Sequence, residues 1–60
     1  MKYAEFHKFI RKNGWKHVKT QGSHYFYEKD DKISPPVPFH GSKEMGEGLR
    51  KSIIKAMGLK

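Results

Sequence analysis

The chain has 60 residues and contains no cysteine, so it must fold without disulfide bonds or thiolate-bound zinc. A chain of this length buries only about 60% of the surface that its unfolded state exposes, and its stability is marginal. We therefore expect one small core and a single domain over residues 1–60. The longest unbroken apolar run, Tyr25–Tyr27, is too short to span a membrane, and we expect a cytoplasmic protein.

The charge balance is strongly basic. Thirteen lysines and arginines oppose six acidic residues, giving a net charge of +7 at pH 7. This favours a polyanionic partner, nucleic acid first of all. The alternatives are binding to an acidic protein or a membrane, and a basic surface with no special function. Because the charges are scattered through patterned sequence, they indicate a folded basic domain and not a basic tail.

Two segments have the apolar periodicity of amphipathic helices. The first, over residues 2–13, carries its large apolar side chains on one face: Tyr3, Phe6, Phe9 and Ile10. The second, over residues 45–59, does so with Leu49, Ile53, Ile54, Ala56 and Met57. Gly14 and Gly58 are typical helix ends, because glycine readily adopts the left-handed conformation.

The segment between these helices is rich in β-forming residues. Trp15 to Tyr27 reads as a hairpin interrupted at residues 21–23, and residues 30–32 supply a second turn. Residues 34–39 contain three prolines, which restrict a third strand to the edge of a sheet. The sequence therefore predicts an α+β fold of order α-β-β-β-α. Two helices would lie on one face of a three-stranded antiparallel sheet and leave the other face open.

The segment GSHYFY at residues 22–27 places a histidine at the start of the second strand. Side chains alternate along a strand, so Tyr25 and Tyr27 lie on one face and His24 and Phe26 on the other. If Phe26 is in the core, His24 is a partly buried structural residue. If the tyrosines pack inward, His24 stands on the open face, where a histidine is suited to proton transfer near neutral pH.

Three segments resemble the HicA family of toxin–antitoxin systems: GSHYFY at 22–27, PFHGSKEM at 38–45 and LRKSIIKAMGL at 49–59. The resemblance covers nearly the whole chain and implies a HicA-like domain similar in shape to double-stranded-RNA-binding domains. It also implies ribonuclease action on mRNA, growth arrest, and neutralisation by a HicB-type antitoxin. In that family the histidine of the GSH motif is catalytic, and the matching residue here is His24.

RNA carries its own nucleophile, the 2′-hydroxyl, so one histidine can serve as base while a second group or a water serves as acid. The residues are compatible with this chemistry but do not select it by themselves; together with the activity that the resemblance implies, they predict a metal-independent endoribonuclease that needs no cofactor. No ligand spacing in the sequence indicates a metal site. His40 and Ser23 are candidate auxiliary groups. The candidates for RNA contact are Lys16, Lys19, Arg50, Lys51 and Lys55, with Tyr25 and Tyr27 for base stacking. For the two tyrosines, packing within the hairpin is the alternative and the favoured role.

The other two histidines and a non-catalytic alternative complete the sequence predictions. His7 and His17 are expected to have packing or surface roles. A non-catalytic RNA-binding module of the same shape would share both the fold and the charge, so only an activity measurement separates it from a ribonuclease.

Overall fold

The computed structural model describes residues 1–60 and has two helices and a small antiparallel sheet. The elements follow in the order α1 (Tyr3–Lys12), β1 (Lys16–Gln21), β2 (His24–Lys29), β3 (Lys32–Ile33), β4 (Val37–Pro38) and α2 (Glu47–Met57). β2 is central, with β1 on one side and both β3 and β4 on the other. This confirms the predicted α+β class. Neither helix is long and apolar enough to cross a membrane.

The predicted third strand is divided into two short strands. Ile33 of β3 lies opposite Glu28, and Val37 of β4 lies opposite Tyr25, so four residue steps on one side match three on the other. The segment between β3 and β4 contains Pro35 and Pro36, which have no N–H group to continue the ladder. The element order is therefore α-β-β-β-β-α, and the difference from the prediction lies at these prolines.

The core lies between the two helices and one face of the sheet. Its nine buried side chains come from both helices, the sheet and the adjoining loops: Phe6, Ile10, Trp15, Tyr27, Val37, Met45, Ile53, Met57 and Leu59. The prediction that Leu49 and Ala56 belong to the apolar face was wrong, because both are exposed. Met45 and Leu59, which flank α2, are buried instead.

Two tight turns fix the register of the sheet. The β1–β2 turn has only Gly22 and Ser23 between the paired residues Gln21 and His24, with Gly22 at φ +59°. The β2–β3 turn has Asp30 and Asp31 at φ +51° and +65°, as expected of a type I′ hairpin. Because the first turn is so short, His24 is the first paired residue of β2.

Candidate active site

His24 lies on the face of the sheet that the helices leave open. Tyr27 is fully buried on the helix side, and Tyr25 is half-buried there against the rings of His7 and Phe39. Since side chains alternate along β2, His24 points to the opposite face, and it is exposed. Of the two alternatives that the sequence allowed, the structure therefore supports the one with inward-facing tyrosines.

The backbone around His24 is held on both sides. Gln21 of β1 lies opposite it across the hairpin, and Pro38 of β4 lies opposite it on the other side. The carbonyl oxygen of Ser23 accepts a hydrogen bond of 2.7 Å from the N–H of Phe39. His24 thus combines a constrained backbone with an accessible imidazole, as a proton-transfer residue requires.

A lysine shares the open face with His24. Lys19 lies opposite Phe26, and its ammonium is 5.6 Å from the centroid of the Phe26 ring. Along the same face, Lys19 and His24 are diagonal neighbours, a relation that places backbone positions roughly 7–8 Å apart. Lys16 lies further along the face, opposite Glu28. The open face therefore brings together His24 and two of the predicted RNA-contact lysines.

A buried hydrogen-bond chain lies on the other face of the sheet. His7 is buried, with Nε2 2.8 Å from the carbonyl oxygen of Pro38 and Nδ1 2.6 Å from the hydroxyl of Tyr27. A carbonyl can only accept, so Nε2 carries the proton and the Tyr27 hydroxyl donates to Nδ1. Burial is the main cause that lowers the pKa of His7, and burial likewise raises the pKa of Tyr27. The structural role expected of His7 is thereby confirmed.

The predicted base-stacking residues are occupied within the protein. Tyr27 has no exposed surface, which contradicts base stacking by this ring and confirms the alternative of packing within the protein. The ring of Tyr25 is half-buried and stacks on His17, with centroids 4.4 Å apart and an interplanar angle of 18°. His17 also forms a 2.7 Å hydrogen bond with Thr20, so it has the packing role expected of it.

His40, Arg50 and Lys51 contact other side chains of the protein. His40 follows β4, is exposed, and packs edge-on against Tyr3 of α1 with ring centroids 4.9 Å apart. Arg50 and Lys51 form ion pairs with Glu47 within α2. Ser23, by contrast, is exposed in the turn directly before His24. No three His, Asp or Glu side chains form a group that could hold a metal ion.

The sequence also matches known proteins. A family model described as the HicA toxin of bacterial toxin–antitoxin matches residues 3–59. The chain belongs to the HicA toxin family. A HicA relative from Pseudomonas fluorescens (strain Pf0-1), named a probable mRNA interferase HicA, is 48% identical over 60 residues, which span all of this chain and 98% of the relative. No solved structure matches this HicA-family chain.

Proposed function

We propose that this chain is an endoribonuclease toxin that cleaves mRNA, with His24 as its proton-transfer residue. The observation that carries the proposal is the full-length similarity to a probable mRNA interferase, at 48% identity. The exposed position of His24 on an open face with Lys16 and Lys19 supports the choice of residue. The net charge of +7 suits a polyanionic substrate.

In the proposed reaction, a ribose 2′-oxygen forms a bond to the adjacent phosphorus, and the bond from phosphorus to the 5′-oxygen breaks. The imidazole of His24 accepts the proton of the 2′-hydroxyl. A water donates a proton to the departing 5′-oxygen, and the protonated imidazole of His24 returns its proton to the hydroxide that remains. The products are one RNA end with a 2′,3′-cyclic phosphate and one with a 5′-hydroxyl.

Two neighbours of His24 have supporting roles in this proposal. The ammonium of Lys19 offsets the negative charge that develops on the phosphorane, since it lies on the same face as the imidazole. The exposed hydroxyl of Ser23 donates a hydrogen bond to a non-bridging phosphate oxygen. Neither role needs a metal ion, because the substrate itself supplies the nucleophile.

The chemical nature of the RNA ends tests this mechanism. The purified chain is incubated with an unstructured RNA in the presence of EDTA, and the products are separated and analysed for their terminal groups. We expect cleavage that EDTA does not inhibit, with 2′,3′-cyclic phosphate and 5′-hydroxyl ends. Products with 5′-phosphate and 3′-hydroxyl ends would exclude attack by the 2′-hydroxyl. Binding without any cleavage would favour the non-catalytic RNA-binding module instead.

We further propose that the neutralising partner is a HicB-type antitoxin that covers the open face around His24. Membership of a toxin family of bacterial toxin–antitoxin supports a protein partner in general. Amide hydrogen exchange of the complex tests the position: we expect added protection over residues 21–26. An inhibited complex in which these amides exchange as in the free chain would exclude occlusion of His24 as the inhibitory mechanism.

A further inference from the structure

A cleft of about 400 Å³ lies between the β2–β3 turn and the C-terminal end of α2. Lys32 at the start of β3 and Lys55 of α2 line the cleft, and Trp15 and Met57 form its apolar wall. A cavity of this size falls within the range of small-ligand sites. None of these side chains belongs to the open face that carries His24.

Two free hydrogen-bond donors of the cleft are cationic. The ammonium of Lys29, which also lines it, already donates to the carbonyl oxygen of Asn13 at 2.7 Å. Lys32 and Lys55 form no ion pair, so their ammonium groups are available to a ligand. In an RNA ligand, the anionic group that these two lysines would bind is a phosphate.

Trp15 adds a neutral donor. It is only 8% exposed, and its indole N–H has no hydrogen-bond partner in the protein. Every buried side-chain nitrogen or oxygen does have a partner, so this N–H must lie in the small accessible part of the ring. The indole N–H is therefore accessible to a hydrogen-bond acceptor.

Asp30 makes a bare anion a poor ligand. Its carboxylate belongs to the turn that lines the cleft, and it would repel an inorganic phosphate while accepting a hydrogen bond from a base amino group. A ligand that satisfies the whole lining must combine a phosphate, N–H groups and some apolar surface. A nucleotide meets all three requirements.

We propose that this cleft binds one nucleotide of the RNA strand at a distance from the scissile bond. Lys32 pairs with Lys29, which is at the opposite end of β2 from His24. Lys29 is five residues from His24 along the strand, which corresponds to about 17 Å at the rise of a β-strand. A strand whose scissile phosphate lies at His24 must therefore continue for several nucleotides to reach the cleft. This inference rests on the proposed ribonuclease function.

The single tryptophan of the chain reports directly on the cleft. A fully 2′-O-methylated RNA octanucleotide, which lacks the attacking hydroxyl, is titrated into the chain while Trp15 emission is recorded. The double variant Lys32→Gln/Lys55→Gln is compared with Lys8→Gln/Lys12→Gln, which removes the same charge from exposed positions on α1. Thermal unfolding confirms that both double variants are folded.

We expect a saturable change in Trp15 emission when the octanucleotide binds the native chain. For Lys32→Gln/Lys55→Gln we expect an affinity about tenfold lower, and a slope of log K against log salt that is less steep by roughly one or more. The α1 variant should lose no more than about twofold. Equal losses in the two double variants, or binding without a change in Trp15 emission, would overturn the inference. So would AMP binding as tightly as the octanucleotide, since the site would then serve a free nucleotide. An intact Trp15 response in a chain that never cleaves RNA would overturn only the proposed catalysis.

Discussion

At the scale of single residues, the hydroxyl of Tyr27 explains which face of β2 is buried. This hydroxyl donates to Nδ1 of His7 over 2.6 Å. A buried hydroxyl without a partner would cost about 1–3 kcal/mol, so the side that supplies partners is the side that tyrosine occupies. With Tyr27 held there, the alternation of the strand turns His24 outward.

The buried position of His7 predicts a stability that depends on pH. Burial holds the pKa of His7 below its ordinary value of 6.5. The unfolded chain therefore takes up a proton as the pH falls through about 6.5, while the folded chain does so only at a lower pH. We expect this group's contribution to the free energy of unfolding to be complete above pH 6.5 and to decrease below it, down to the pKa of the folded state.

Urea denaturation at a series of pH values between 7.5 and 5 measures this dependence. The matched variant is His7→Gln, whose amide can still donate to the Pro38 carbonyl and accept from Tyr27. We expect the decrease below pH 6.5 to be smaller in His7→Gln than in the native chain. If the free energy of unfolding decreased equally in the native chain and in His7→Gln, the pH dependence would come from titratable groups other than His7.

At the scale of secondary-structure elements, the join between β3 and β4 depends on Ser34. Its side chain is buried, with Oγ accepting from the N–H of Tyr27 over 2.9 Å and donating to the carbonyl of Pro35 over 2.9 Å. Its own N–H donates to the carbonyl of Tyr27 over 2.7 Å. Ser34 thus keeps the proline-containing segment attached to β2 where the regular ladder stops.

We therefore expect Ser34→Ala to lower the free energy of unfolding by about 1–3 kcal/mol, because it leaves the N–H of Tyr27 without an acceptor. Ser52→Ala, at an exposed position of α2, is the matched control and should change it by no more than about 0.5 kcal/mol. Chemical denaturation of both variants at pH 7 makes the comparison. A Ser34→Ala variant as stable as the control would show that this join carries no stability.

The elements differ in how far the sequence could predict them. Both helices follow from apolar periodicity and from the glycines at their ends. The exposure of Leu49 could not be predicted in this way. Periodicity shows which face of a helix is apolar, but it does not show whether the elements packed against that face reach the end of the helix. Pro35 and Pro36 indicated that the third strand would be irregular. The hydrogen bonds between Ser34 and Tyr27 at this irregularity join the segment after β3 to β2, so a local sequence pattern could not predict them.

The candidate site was predictable to a similar degree. The GSH motif and the family resemblance singled out His24, whereas the sequence alone left its direction open because Phe26 and Tyr27 are both suitable core residues. The partner that decides between them, His7, comes from α1 and is 20 positions away. The same limit applies to Tyr25, whose stacking on His17 joins two strands.

At the scale of the whole molecule, the net charge of +7 predicts RNA binding that weakens with salt. Each neutralised phosphate contributes about −0.7 to the slope of log K against log salt for a single strand. Contact with three phosphates would therefore lower the affinity roughly 20-fold between about 50 and 200 mM salt. Fluorescence anisotropy with a labelled, 2′-O-methylated RNA checks this prediction. An affinity that stays constant over that range would exclude phosphate contacts as the main source of binding.

Single-turnover cleavage rates measured in EDTA test whether His24 transfers the proton in RNA cleavage. The native chain is compared with His24→Ala and with His17→Gln, which alters an exposed histidine on the other face of the sheet. Circular dichroism first confirms that all three are folded. We expect His24→Ala to be slower by about 10²–10⁴-fold, while His17→Gln stays within a few-fold of the native rate. Equal rates for the native chain and His24→Ala would contradict proton transfer by His24.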